Sequence, residues 1–518
     1  MDNDQQDGAS APHGSAGQEP VRRAAVLKRW LSGRLVGVLF ASFGFVALRF
    51  LLTPLRIKIL TSLLDKDEYG TLTLVSLTIS FLSIVFSLGS LEFMLRKLPG
   101  QTVGYQQNTL KSVMVLFGGV FAVLAFGVVL VLQRWPLPKI GLTGGDYILC
   151  GLLLFVTVHV MQRVYYMLGQ RKYTQARVTQ LLYSDSWFLP LLFFFILGSL
   201  TMTQVLWVWL VWMVLAIAVS NHWIRFGRVL RARISPRRMT EVLEFGLPLM
   251  PMSIGDLLFR IQDRYILAWA RDLDAVANYS LCVNIAMVGF LVGAALLDIM
   301  TTEFFKMRNE EASGDLEAIL RVPHLRQSFT TMTRFAVILS IPVASVLTFM
   351  GPQLIRLLSH EKFLDAAAIF PWTAPFPILF LMTYILGRGL MALDRSLALG
   401  GMTLLASLVN VALNFLLIPR YGEAGTAVAT SIGLFVLALM LGRMMRLRLW
   451  IRREDLMPWR LLIYSVGCFL GVGAIAHWEP LGGVVTLILG GCFCGAMLLV
   501  LGLLRRVDLD LMTGSFGS

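Results

Sequence analysis

Stretches of about 20 apolar residues follow one another along this chain from Leu35 to Leu504, and that succession constrains the fold more than any single motif. Backbone amides in hydrocarbon must find partners within the protein, so a chain embedded in lipid is built of helices or of a closed barrel. The polar-apolar alternation of a barrel strand does not describe these stretches, which leaves an all-α polytopic membrane protein. Composition points the same way, because with 57% hydrophobic and 15% charged residues there are too few charges to clothe the helices of a soluble domain of this length. Spans are expected near 35–58, 71–94, 108–132, 147–168, 176–198, 203–224, 242–268, 278–300, 328–350, 366–390, 397–418, 424–444, 458–477 and 482–504, about fourteen in all.

Short loops on the cytoplasmic side of a membrane retain Lys and Arg. Sorting the loops by the expected spans places about 28 such residues on one side, including Arg22, Arg171, Arg225, Arg238, Arg395 and Arg446, against 7 on the other, among them Lys66, Arg271, Lys362 and Arg420. The arginine-rich side is therefore expected to be cytoplasmic, with both termini on it. The net charge of +14 is dispersed among membrane-flanking loops and accompanies no recognition motif, so nucleic acid is not an expected partner. The basic run from Arg225 to Arg238 reads as a determinant of topology, with anionic lipid or an enzyme partner as the alternative.

Residues 1–20 are polar and small and contain no apolar run of the signal-peptide kind, so a disordered tail is expected there. The five cysteines lie in apolar stretches, and Cys492 and Cys494 lack the spacing and neighbours of a zinc site. No metal or cofactor is expected. The longest cytoplasmic connection runs from about Thr301 to Ser328. No external loop is long enough to hold the acceptor and catalytic groups of a glycan polymerase or ligase, so a transporter is expected rather than an enzyme.

A charge inside a span is costly unless it faces water, a partner or a cavity, so such residues are the functional candidates. The densest set is in the seventh span, GLPLMPMSIGDLLFRIQDRYILAWA, where Asp256, Arg260, Asp263 and Arg264 share one helical face. Neutralising pairs that only join helices are the structural reading of that face. The first span carries Arg49 about fourteen residues in, roughly 20 Å at 1.5 Å per residue, with Pro54 and Arg56 further along. Glu92 and Arg96 in the second span read as a local ion pair. His159, Gln162, Arg163, Asp185, Asn284, Asp298 and Arg388 are each readable as an interhelical hydrogen bond. Pro248, Pro251 and Gly255 interrupt the seventh span and make it a candidate hinge. Arg49, Arg260 and Arg264 have only Asp256 and Asp263 as acids in their two helices. Since the guanidinium fork donates two parallel hydrogen bonds, an anionic, phosphate-bearing substrate is the physical expectation.

The segment beginning RIKILTSLLDKDEYG aligns on RYILAWARDLDAVANYS, Arg56 on Arg264 and Tyr69 on Tyr279. Such a repeat implies two six-helix halves with a binding site between them. The expected organisation is a tail and basic flank (1–34), a six-helix bundle (35–226), a basic linker (227–241), a second bundle (242–447), two further helices (448–504) and a second tail (505–518).

LLDKDEYGTLTL, FGLPLMPMSIGD with DRYILAWA and ANYS, and above all SLVNVALNFLLIPRYGEAGTAVATSIG resemble the polysaccharide (O-antigen, Wzx-type) flippases of the multidrug/oligosaccharidyl-lipid/polysaccharide exporter superfamily. The resemblance covers most of the chain. It implies a V-shaped pair of bundles around a cationic cavity, in which Arg49, Arg260 and Arg264 would bind substrate. By alternating access, an undecaprenyl-pyrophosphate-linked oligosaccharide would cross the bacterial inner membrane for surface polysaccharide, lipopolysaccharide or exopolysaccharide. Coupling to a proton or sodium gradient is implied, without fixing which acid carries the ion; Asp256 and Asp263 are the candidates in this chain. Membrane lipids and the polysaccharide polymerase and export machinery are the implied partners. Another lipid or drug exporter of the superfamily is the first alternative. The drug exporters have twelve helices and an acid-lined cavity, and the early Arg-Asp and Asp-Ala-Phe signatures of the peptidoglycan-precursor flippase are missing. A glycan polymerase or ligase, or a structural scaffold without functional deep charges, are the alternatives of other classes.

Overall fold

The computed structural model describes residues 33–134, 142–197, 200–247, 250–311, 322–393, 395–477 and 483–503. Both tails, the middle of the 301–328 connection and Pro248 lie outside these residues. The regular structure of the described residues is all helix. The principal helices are α1 (Gly33–Leu63), α2 (Lys66–Ser87), α3 (Val103–Arg134), α4 (Gly144–Gly169), α5 (Tyr173–Gln180), α6 (Met202–Ile224), α7 (Met250–Ala270), α8 (Leu273–Glu311), α9 (Pro323–Phe349), α10 (Phe376–Ala392), α11 (Ser396–Met444), α12 (Pro458–Ala476) and α13 (Gly483–Val500).

Short polar signals start several of them. Thr143 and Asp146 at the start of α4 exchange bonds, the Thr143 amide donating to Asp146 Oδ2 at 2.9 Å. Thr201 and Gln204 do the same at α6, and the Asp65 amide donates to Glu68 Oε2 at 3.2 Å at α2. Each reciprocal pair satisfies donors that a helix start leaves open.

The described residues of the expected segments are largely helical, with several departures. On either side of residues 248–249, which lie outside the described residues, the 242–268 segment carries the end of Pro236–Gly246 and α7. Gly246 meets Gly89 backbone to backbone, so that a Cβ on residue 246 would lie 2.1 Å from the Leu88 carbonyl oxygen. The fifth segment breaks after α5 into a π turn, Leu181–Asp185. The eighth is much longer than a span, its 39 residues reaching about 58 Å. α11 is a hairpin, since Gly422 takes the non-helical φ 55°, ψ −131° and Gly433 then lies against Asn410. Among the described residues eight helical segments, the α11 hairpin counted as one, are long and apolar enough to cross a membrane. A pair bent by 45°, Glu361–Thr373 with Phe376–Ala392, makes a ninth.

Packing divides the helices into two groups. In the first, α4 packs on both α2 and α6; in the second, α7 lies along the α11 hairpin while α9 joins α8 to α10. α2 against α8 is the main joint between the groups, and α12 and α13 pair with each other on the outside of α9. One apolar core runs through the first group and takes in residues 266–286, 344–376, 418 and 427 of the second. Those second-group residues all come from the arginine-poor end. A separate core around Phe304, Phe329 and Trp450 fills the second group toward its arginine-rich end. Among the described residues the shared core joins the two groups mainly at the arginine-poor end.

Candidate functional site

Polar contacts reinforce that seal. Lys66 at the start of α2 reaches Asp365 of the second group, 2.9 Å to Oδ1 and 2.7 Å to Oδ2, and Asn278 Nδ2 donates to the same Oδ2 at 3.3 Å. Lys362 Nζ donates to the Leu64 carbonyl at 2.5 Å and lies 3.9 Å from Asp65. Lys58 Nζ donates to the Arg356 carbonyl at 3.1 Å and to that of Ser359. Below them Tyr69 meets Phe363 edge-on at 5.6 Å, and Thr78 bonds Tyr265. Apart from the Asn278–Asp365 bond, which lies within the second group, these contacts join residues 58–78 of the first group to residues 265–365 of the second.

Toward the arginine-rich end the groups part around a cavity of about 450 Å³. Leu91, Glu92 and Tyr165 line it from the first group, and Leu257, Tyr384 and Arg388 from the second. Much of the wall is apolar, with Ile84, Met161, Phe290 and Phe380 among it. Among its described lining residues the charged ones are Glu92 and Arg388. Arg388 Nη2 donates to Tyr384 Oη at 2.7 Å, and the guanidinium lies 4.6 Å from the Tyr384 ring centre. Four residues apart on α10, the two share a face. The ring and hydroxyl hold one side of the guanidinium, and Nη1 also donates to Met391 Sδ at 3.8 Å.

Arg49 of α1 pairs with Asp185, Nε to Oδ1 at 3.0 Å. The π turn after α5 delivers that carboxylate, as such bulges often do where a side chain must be aimed, and Arg56 Nη1 donates to the adjacent Ser184 carbonyl at 3.4 Å. Asp263 and Arg264 are brought together as buried neighbours, 1% and 6% exposed. Asp263 Oδ1 accepts from the Arg264 amide at 2.8 Å and from its Nη1 at 2.9 Å, while Oδ2 accepts from Tyr279 Oη at 2.8 Å. Arg264 stands 5.1 Å over the Tyr279 ring. The aligned pair of the first half has the same relation in outline, Arg56 lying within electrostatic reach of Tyr69, whose hydroxyl accepts from Asn284 at 3.4 Å.

The side chains of Asp256, Arg260 and Pro251 lie outside the described residues, although their backbone belongs to α7. Position 260 follows the cavity-lining Leu257 by three residues, one turn along the same stripe. Gly255 is a close crossing, because a Cβ there would meet the Leu404 amide at 3.0 Å, and its carbonyl accepts from Ser407 Oγ at 2.7 Å. No group of three or more His, Cys, Asp or Glu able to hold a metal occurs among the described residues. Arg388, readable from the sequence only as one of several interhelical hydrogen-bonding residues, lines the cavity. Its signal was an Arg inside a span, one turn after a Tyr, the pairing the structure uses.

A family model described as "Polysaccharide biosynthesis protein" matches residues 39–296, about half of the chain. A solved structure of the lipid II flippase MurJ in its inward closed conformation is similar in fold, with a TM-score of 0.68 at 12% identity, covering 90% of this chain and 98% of that one. An inward-facing multidrug resistance MATE family transporter of the MOP superfamily has a TM-score of 0.58 at 16% identity, covering 77% and 94%. An uncharacterized membrane protein of Methanocaldococcus jannaschii is 23% identical over 212 residues, which are 39% of this chain and 38% of that protein.

Proposed function

We propose, from the premise that this chain belongs to the polysaccharide/lipid flippase superfamily, that it carries an undecaprenyl-pyrophosphate-linked oligosaccharide from the inner to the outer leaflet of the bacterial inner membrane, for surface or secreted polysaccharide. The observation that carries the reading is the cavity between the groups, sealed at the arginine-poor end and walled by apolar side chains around the tyrosine-braced Arg388. In this reading the arginine-rich end is cytoplasmic, and loading takes place from there. The pyrophosphate meets Arg388, joined by Arg260 from the stripe that begins at Leu257. A guanidinium suits that role because it stays ionised and its fork matches phosphate oxygens. Release requires the Lys66, Lys362 and Lys58 contacts to part as the other end closes, a two-state exchange of interfaces. Asp263, held by Arg264 and Tyr279, is the carboxylate through which a proton or sodium gradient would act. The first-group pair Arg49–Asp185 is then a positioning element of the same translocation unit.

The test is complementation of a strain lacking this protein with wild type, Arg388→Ala, Arg388→Lys or Arg260→Ala, at matched membrane levels. The reading expects Arg388→Ala to abolish surface polysaccharide while lipid-linked oligosaccharide accumulates in the inner leaflet, and Arg388→Lys to retain part of it. Normal export by stable Arg388→Ala and Arg260→Ala variants would remove the phosphate argument. Loss of polysaccharide with no accumulated carrier would point to a step other than translocation.

A further inference from the structure

A second concavity, of about 360 Å³, opens at the arginine-poor end, apart from the central cavity. One wall is the start of α8, with Arg271, Asp272, Asp274 and Asn278; the other is the turn of the α11 hairpin, with Arg420, Tyr421 and Glu423. Gly422 makes the turn possible through its positive φ, and Arg271 Nη2 fastens it by donating to the Pro419 carbonyl at 3.1 Å. The walls are therefore fixed to each other.

The lining discriminates among ligand classes. A free phosphate would meet three carboxylates, and a cation would meet two guanidiniums in a place that holds no metal-ligating triad among the described residues. A neutral polyhydroxyl ligand can use both kinds of group at once, accepting from Arg and donating to Asp and Glu. Tyr421 adds an aromatic face that is 63% exposed, a surface on which the C–H side of a sugar ring can lie. Asn278 is 7% exposed, and its Oδ1 has no hydrogen-bond partner. The volume lies near the lower end of the roughly 300–1,000 Å³ of small-molecule sites. From these observations we infer that this concavity is a binding site for one or two sugar units of a glycan, outside the translocation cavity.

Its position gives it a use that rests on the flippase reading. Asn278 also bonds Asp365, the partner of Lys66, so the site adjoins the contacts that must part for release at this end. A sugar held there by its hydroxyls sits beside the exit, where the carried glycan emerges.

The full-length protein in nanodiscs tests the inference, with the repeat-unit oligosaccharide released from the source strain's own surface polysaccharide as probe and saturation-transfer NMR as readout. Saturable binding is expected, weakened at least tenfold by Tyr421→Ala and by Glu423→Gln, retained by Tyr421→Phe, and unaffected by inorganic phosphate. Unchanged melting temperatures show that the variants are folded. No saturable binding by wild type, or equal binding by Tyr421→Ala and Glu423→Gln, would overturn the site and leave Tyr421 as an interfacial anchor; displacement by phosphate would overturn the ligand class. The probe lacks pyrophosphate, so this result is independent of Arg388. Failure of the flippase reading appears instead as absent carrier accumulation in the complementation experiment.

Discussion

Asp365→Lys places a cation where Lys66 now finds its carboxylate, and it tests whether the seal is a working latch. The pair is partly exposed, 20% at Lys66 and 58% at Asp365, so its loss costs about 0.2–1 kcal/mol. Two cations about 4 Å apart in water add about 1 kcal/mol of repulsion. The closed state is therefore expected to lose about 1–2 kcal/mol, a shift of roughly 5- to 30-fold in the equilibrium between closed and open at this end. Thr78→Cys supplies the reporter, since Thr78 bonds Tyr265 across the joint below the latch. The native Cys492 is exposed and is replaced by Ala in every variant. Labelling by a membrane-impermeant maleimide added at the arginine-poor face should speed up by a factor within that range. Adding Lys66→Asp restores the pair with its charges exchanged and should return the rate to near that of the Thr78→Cys background. An unchanged rate in Asp365→Lys, or an equally raised rate in the double exchange, would refute the latch.

Three further outcomes follow from packing. Asp185→Ala leaves Arg49 without the carboxylate it now bonds; because Arg49 is a third exposed, the cost is expected at about 1–3 kcal/mol, below the range for fully buried pairs. Thermal unfolding in detergent should show that loss, and the double variant with Arg49→Ala should be milder than the single. Tyr279→Phe removes one donor from a buried carboxylate and should cost about 1.5–3 kcal/mol, read the same way, with no loss expected if Tyr279 only fills space. Gly433→Ala puts a Cβ 2.8 Å from the Asn410 Cβ, and the overpacking should cost about 1–3 kcal/mol; a neutral result would mean that the two arms of the hairpin separate easily.

Much of the architecture was legible because the lipid does part of the specifying. Apolar length located the helical segments, and the gap left between the expected spans 397–418 and 424–444 is where the chain turns, at Gly422. The breaks were harder to read. Nothing local in LLYSD announces a π turn, whose stability comes from what its side chains meet, and the long continuation of α8 past the expected span is polar chain with no periodic signal to separate helix from loop. The alignment of Arg56 with Arg264 places Arg264 over the Tyr279 ring and Arg56 within electrostatic reach of Tyr69.

The candidate site was less legible because charge balance in a bundle is settled by contacts distant in sequence. Counting acids on the two helices that carry Arg49 and Arg264 leaves a surplus of cations, yet Arg49 finds Asp185 at a separation of 136 residues. A deep arginine is therefore no measure of a free cation until its neighbours in space are known. The same holds in reverse for Arg388: read alone it resembles any interhelical donor, and only the parting of the two helix groups around it gives it a cavity to serve. Arg49 and Arg264 meet carboxylates, whereas Arg388 lines the cavity and donates to the Tyr384 hydroxyl. That difference makes Arg388 the first residue to substitute when substrate recognition is separated from helix packing.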